Sequence, residues 1–354
     1  MKKLILNLIL SLFVLSLPGC KQDISPSPMK FKAYEHNPII NPGAPGSWDE
    51  LSPSVPNIVW SDSIFYLFYM GWNTSGRIAI GLASSDDGFH FTKFEGNPII
   101  SPDSKGFDAF AVAAPIVMKD YSLWIMYYNA LETADYAPGP SITMASATQP
   151  TGPWSKKETA VLTSGSKGEW DAGFVIASSV IKLENNSYIM YYTGGKDFFE
   201  LKDFNIGMAT SKDGEHWKKY NDPATKVHPY AESDPVFMAG KAGDWDGSYV
   251  WMPKVARFSE GYNMYYTGIK VSKKKVYGAT GYAFSKDGIR WERYTGNPVY
   301  NVEDDPCINS PADEAIIENP SFYYMDTLCF MFYSYGTEGQ GIGLATAKVP
   351  VGYK

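Results

Sequence analysis

Apolar and polar positions along the chain recur in short runs rather than in a helical period. An aromatic run appears five times: Phe65-Tyr66-Leu67-Phe68-Tyr69, Leu123-Trp124-Ile125-Met126-Tyr127-Tyr128, Tyr188-Ile189-Met190-Tyr191-Tyr192, Tyr262-Asn263-Met264-Tyr265-Tyr266 and Cys329-Phe330-Met331-Phe332-Tyr333. After a polar loop comes a second run ending in small residues, as in Ile80-Gly81-Leu82-Ala83-Ser84 and Ile342-Gly343-Leu344-Ala345-Thr346. Three copies continue into an Asp-Gly turn and an aromatic (Asp87-Gly88 with Phe91, Asp213-Gly214 with Trp217, Asp287-Gly288 with Trp291), a strong short-range hairpin signal. Gly152-Pro153-Trp154 takes that role in the second copy. Upstream of each aromatic run lies an apolar segment carrying Pro56, Pro115, Pro253 or Pro320, with Ser179 at that place in the third copy.

This order predicts four short antiparallel strands per repeat and no competing helix, the pattern of propeller blades. The expected fold is all-β, a five-bladed β-propeller of four-stranded antiparallel blades. The last repeat stops after its third strand near Pro350, while Phe31-Lys32-Ala33-Tyr34-Glu35-His36-Asn37-Pro38-Ile39-Ile40 nearly duplicates Phe91-Thr92-Lys93-Phe94-Glu95-Gly96-Asn97-Pro98-Ile99-Ile100. The N-terminal segment is therefore expected to close the ring as the missing fourth strand, which protects an otherwise open edge and makes residues 31–354 one domain.

Before that domain, Lys2 and Lys3 precede an apolar run from Leu4 to Leu17, too short for a comfortable membrane span and right for a signal-peptide core. The run ends in Leu17-Pro18-Gly19-Cys20, which looks like a bacterial lipoprotein box. Residues 1–19 are thus expected to be removed, Cys20 to be lipidated, and residues 20–30 to form a tether. Lys21 after the Cys points to the outer membrane, so the expected location is the cell envelope, with membrane contact through the lipid anchor only. Cys307 and Cys329 remain; an oxidising envelope permits their pairing, and a buried, unpaired Cys329 is the equal alternative.

Composition narrows the function classes. The chain has 354 residues, 44% of them hydrophobic, enough for a sizeable core. A net charge of −7 offers no basic footprint for nucleic acid. Four His and three scattered Cys do not build the clustered zinc patterns, and no dinucleotide or phosphate-loop string occurs. An enzyme here would work through carboxylates, as a monomer, with no cofactor required and no metal site.

Candidate carboxylates lie before the first strand of each blade: Asp49, Asp108, Asp171, Asp246 and Asp313, spaced by 59, 63, 75 and 67 residues. Two readings stand for this ring. Each Asp caps its own blade by accepting backbone N–H bonds, or two or three of them converge on the channel and face a sugar. Glu318 departs from the repeat, standing two before Pro320 where other blades have Ser54, Ala113, Ala177 and Trp251. A glutamate inside an inner strand is desolvated and its pKa raised, which suits a general acid; pairing with Lys254 or Arg257 is the structural alternative. Trp251 could stack on a sugar and Lys254 hold a hydroxyl or carboxylate. Trp72, Arg77 and Glu132 stand in loops between second and third strands, where acids mixed with aromatics match carbohydrate.

The strings Asn97-Pro98-Ile99-Ile100, Asn297-Pro298-Val299, Tyr191-Tyr192-Thr193-Gly194, Tyr265-Tyr266-Thr267-Gly268, Ser211-Lys212-Asp213-Gly214 and Gly152-Pro153-Trp154 resemble the five-bladed glycosidases of glycoside hydrolase family 43 and their relatives in families 32, 68 and 130. The resemblance implies an oligosaccharide or polysaccharide substrate and hydrolysis by paired carboxylates at the channel mouth. In family 43 a base Asp in blade one, a tuning Asp in blade three and an acid Glu in blade four commonly stand directly before the first-strand proline. This sequence has Val55, Ala114, Ser178, Met252 and Asn319 there. The catalytic candidates are then Asp49 as base, Asp171 as tuner, and Glu318 or Asp246 as acid, with Asp108, Asp313 and the loop residues binding substrate. A glycan binder without catalysis, or a phosphorylase similar to family 130 using Lys254, Arg257 and Arg77, are the alternatives. Some relatives hold calcium in the channel; no ligand cluster in this sequence argues for it.

Overall fold

The structure, a computed structural model, describes residues 27–272, 275–308, 316–335 and 341–349. The leader, Cys20 and Asp313 lie outside the described residues. The repeats form four-stranded antiparallel meanders. Unit one is Ser52–Ser61, Ile64–Trp72, Ile78–Ser85 and Thr92–Lys93. Unit two is Ala111–Asp120, Leu123–Leu131, Ser141–Ala147 and Ser155–Lys156. Unit three is Phe174–Lys182, Tyr188–Gly195, Asn205–Ser211 and Trp217–Lys219, with Pro235–Phe237 also paired to its third strand. Unit four is Tyr249–Phe258, Gly261–Ser272, Lys275–Ser285 and Glu292–Arg293. Unit five takes Ile317–Met325, Leu328–Tyr335 and Gly341–Lys348 from the C-terminal end and Lys32–Ala33 from the N-terminal end. Units one and two are joined into one sheet by a single parallel pairing of Ile78 with Ala111.

Sequence explains each piece. The aromatic run is a second strand with sheet neighbours on both sides and other units on both faces, so Tyr188–Gly195 is buried at every residue and reads as a continuous apolar run. At the Asp-Gly turns, Asp87 Oδ1 accepts from the backbone N–H of Phe89 and His90, and Gly88 adopts φ +79°, a conformation that costs glycine least. The N-terminal strand repeats the register of unit one: Lys32 lies opposite Thr346 and Ile40 bridges Ile342, as Thr92 lies opposite Ser84 and Ile100 bridges Ile80. Met29, expected in the tether, is instead buried, with its N–H donated to the Tyr265 hydroxyl at 3.1 Å. The docked chain therefore begins before residue 31.

The first strands pack in cyclic order, each on the first strand of the next unit and that of unit five on that of unit one. Side-chain latches fix this order. The residue after the buried tyrosine of the second strand accepts the N–H of the following unit's first strand: Asn129 from Ala177 (3.2 Å), Thr193 from Met252 (2.9 Å), Thr267 from Asn319 (3.0 Å) and Ser334 from Val55 (2.8 Å). Each latched residue sits at a bulge, as does Ala114 in unit two, and Val55, Ala114, Met252 and Asn319 hold φ between 49 and 57°. Positive φ in a β-branched valine is strained and is held by the surrounding structure. The latches also correct the alignment of unit three. Ala177 holds the place before the proline, Ser178 rather than Ser179 holds the proline's place, and Ile176, opposite Thr193, is the counterpart of Ser54 and Glu318. Cys307 and Cys329 are both free, and Cys329 is fully buried among Tyr265, Phe284 and Ala347.

Candidate functional site

Four of the ring aspartates are buried, and their own units bury them. Asp49 Oδ2 accepts from Lys93 Nζ at 2.6 Å and the Tyr69 hydroxyl at 3.2 Å. Asp171 Oδ2 does the same with Lys219 (2.6 Å) and Tyr192 (3.2 Å), and Asp246 Oδ2 with Arg293 Nε (2.9 Å) and Tyr266 (3.0 Å). Asp108 Oδ2 accepts from Lys156 at 2.8 Å. Each cation stands on the fourth strand opposite the third-strand alanine: Lys93 across from Ala83, Lys156 from Ala145, Lys219 from Ala209 and Arg293 from Ala283. The tryptophan before the Asp lies flat on second-strand glycine; a Cβ on Gly71 would come 2.1 Å from Trp48, and one on Gly268 2.4 Å from Trp245. That packing is why Trp-Asp and a glycine after the aromatic run recur together.

In unit five the same duty falls to Asp305, which accepts from Asn37 Nδ2 at 3.0 Å and from the hydroxyl of Tyr333. The sequence placed the fifth member at Asp313; the carboxylate paired with the unit-five tyrosine is Asp305. Its unit lacks the cation, because Ala33 stands opposite Ala345. The missed signal was an aromatic-x-cation triplet, Phe91-Thr92-Lys93, Trp154-Ser155-Lys156, Trp217-Lys218-Lys219 and Trp291-Glu292-Arg293, which lapses only in Phe31-Lys32-Ala33.

Where the first strands meet, a cavity of about 290 Å³ opens, lined in part by Trp72, Tyr136, Phe198, Trp251, Glu318 and Asn319. Its floor is apolar. Val55, Ala114 and Met252, three of the residues standing before first-strand prolines, pack with Phe174, Ile176 and Tyr249. Asn319 is the polar exception among those positions. The walls are aromatic: Tyr136 and Phe198 stack with centroids 5.3 Å apart and planes 9° apart, and Trp72 is 45% exposed at the mouth. None of Asp49, Asp108, Asp171 and Asp246 lines this cavity, so the expected convergence of ring aspartates on it is not seen.

Glu318 is the one carboxylate among the described residues lining it. Burial in this apolar surround pushes its carboxyl up to about 7, against a smaller opposing pull from the Asn319 amide. The cations considered as its partners lie elsewhere. Arg257 reaches Glu184 at 4.0 Å, and the buried Lys254 Nζ has no hydrogen-bond partner among the described residues. Burial pushes Lys254 down to about 7. Arg77 is exposed and donates to the Ala109 carbonyl at 2.9 Å, and Glu132 is exposed outside the cavity. The structure thus gathers Glu318, Trp251 and Trp72 and leaves Arg77, Glu132 and Lys254 apart. Asn319 was passed over because the sequence marked it only as the place where an acid is missing. A carboxyl that titrates near neutrality between aromatic walls can donate a proton to a bound ether or hydroxyl oxygen. No cluster of three or more His, Cys, Asp or Glu is placed to hold a metal ion among the described residues.

No family model matches the sequence. An uncharacterized protein of Mycobacterium tuberculosis is 24% identical over 314 residues, 87% of this chain and 76% of that protein. A glycosyl hydrolase structure from Bacteroides ovatus superposes with a TM-score of 0.67 at 18% identity, covering 92% of this chain and 96% of the other. The β-1,2-mannobiose phosphorylase of Listeria innocua superposes at 0.65 with 13% identity, covering 90% and 97%. The chain shares the propeller-like fold of glycoside hydrolases and phosphorylases.

Proposed function

We propose that the five units are the blades of a five-bladed propeller and that the axial cavity binds a saccharide whose glycosidic bond is cleaved with Glu318 as general acid. The observation that carries this reading is a single carboxyl, raised to about 7, in a largely aromatic and apolar cavity. Apolar sugar faces stack on Trp72 and Tyr136, while Glu318 protonates the leaving oxygen; near pH 7 about half of such groups hold the proton to give. Solved structures of similar shape include a glycosyl hydrolase and a mannobiose phosphorylase, which supports a carbohydrate ligand. Asp49, Asp108, Asp171 and Asp246 are architecture in this reading. The leader and Cys20 would tether the domain to the outer membrane, and Cys20→Ala should move the protein from the membrane to the soluble fraction.

The test is product release from a panel of aryl glycosides and oligosaccharides, with Glu318→Gln alongside. Glu318→Gln with undiminished turnover would remove Glu318 from the chemistry. One observation favours binding without cleavage: the described lining offers no second carboxylate at the roughly 5 to 9.5 Å that retaining or inverting hydrolysis uses. Saturable binding with no product from any member would select that reading.

A further inference from the structure

Polar atoms left without partners show what a cavity expects. Asn319 is only 2% exposed, yet among the described residues its Oδ1 accepts no hydrogen bond. The rest of the residue is engaged, with its backbone N–H on Thr267 Oγ1 at 3.0 Å and Nδ2 on Ser334 Oγ at 3.3 Å. Trp251 Nε1 is likewise buried without an acceptor among the described residues. Both residues line the axial cavity beside Glu318. An unsatisfied buried polar atom costs on the order of 1–3 kcal/mol, a cost that a bound partner removes.

The charges around the cavity are equally informative. No Lys or Arg lines it among the described residues. An anion entering it would meet the Glu318 carboxyl and the Asn319 amide oxygen, and its donors there would be neutral ones, the Trp251 indole N–H and the hydroxyls of Ser54 and Tyr136. A sugar hydroxyl, which both donates and accepts, satisfies acceptors and donors alike.

We infer that the axial cavity selects an uncharged sugar, with Asn319 Oδ1 accepting from one hydroxyl and Trp251 Nε1 donating to another, and that it rejects uronates and inorganic phosphate. The inference rests on the saccharide reading of the cavity and narrows it: the acceptor of the glycosyl group is water, and Asn319 and Trp251 decide specificity.

Calorimetry on the folded protein tests this with three probe sets: neutral methyl glycosides and disaccharides, the corresponding glucuronides and galacturonides, and inorganic phosphate. Neutral sugars should bind, uronates and phosphate should not, and phosphate should not raise turnover. Trp251→Phe, which keeps an aromatic face and removes the N–H, should weaken neutral-sugar binding about tenfold, the worth of one well-placed hydrogen bond. Asn319→Asp should weaken it further by setting a second carboxylate beside Glu318, with thermal unfolding of each variant confirming the fold. Tighter binding of uronate or phosphate, absence of neutral-sugar binding, or an unchanged affinity in folded Trp251→Phe and Asn319→Asp would overturn the inference. Neutral-sugar binding without product leaves the selectivity for uncharged sugars standing and refutes cleavage. Cleavage of a uronoside refutes the inference and leaves the saccharide site intact.

Discussion

Two sets of carboxylates occupy this molecule, and they are held in opposite ways. Asp49, Asp171 and Asp246 are each closed in by a cation and a tyrosine hydroxyl of the same unit, both held on Oδ2, so that oxygen is used in folding. Glu318 has no cation beside it among the described residues and faces an aromatic cavity. A repeated acid with a repeated partner is architecture; an unrepeated acid without one keeps its proton affinity for something else.

The largest effect expected from the architectural set is on stability. Asp171 is fully buried against Lys219, so Asp171→Ala should destabilise by about 3 kcal/mol, as for a broken buried pair. Denaturant titration checks this, and a loss below about 1 kcal/mol would mean the ring is not structural.

The pH dependence of stability separates the two regions next. Folding raises Glu318 from 4.5 to about 7, so the folded state holds the proton more tightly and stability falls as pH rises from about 4.5 to 7. Folding lowers Lys254 from 10.5 to about 7, so the unfolded state holds that proton more tightly and stability rises with pH from about 7 to 10.5. Together they place a dip near neutrality. Glu318→Gln should remove the lower limb, worth up to about 3 kcal/mol at one pKa unit per 1.4 kcal/mol, and Lys254→Met the upper. Unfolding midpoints measured from pH 4 to 10 would show both limbs or neither.

Smaller changes refine the contrast. Trp72→Ala should weaken saccharide binding about tenfold by removing an exposed stacking face, with unfolding unchanged. Ala33→Lys would supply the cation that unit five lacks opposite Asp305 and should stabilise by about 1 kcal/mol at most. A destabilised Ala33→Lys would show that Asp305 is already satisfied by Tyr333 and Asn37.

Much of the fold was legible because each repeat carries its own turn and strand signals, and because Phe31 to Ile40 copies Phe91 to Ile100 closely enough to share its register. The role of the ring was harder to see, since each Asp meets its cation 44 to 48 positions later in the chain. Unit five was harder for a related reason. Asp305, which follows a short 3-10 turn at Val302–Asp304, falls outside the repeat spacing, while Asp313, which the spacing pointed to, lies outside the described residues. Glu318 was visible as a departure from a pattern. Asn319 was not, because what marks it is an unused amide oxygen, and that depends on a bulge and two latches that only the folded chain displays.

The central claim is that chemistry resides at Glu318 and not in the aspartate ring. It is tested most directly by measuring turnover of Glu318→Gln and Asp49→Asn side by side, on whichever glycoside the panel shows to be cleaved and with the folded fraction of each variant determined. The account predicts a loss of about a thousandfold for Glu318→Gln, the scale of a missing general acid, and near-normal turnover per folded molecule for Asp49→Asn. An active Glu318→Gln beside a folded but dead Asp49→Asn would contradict it.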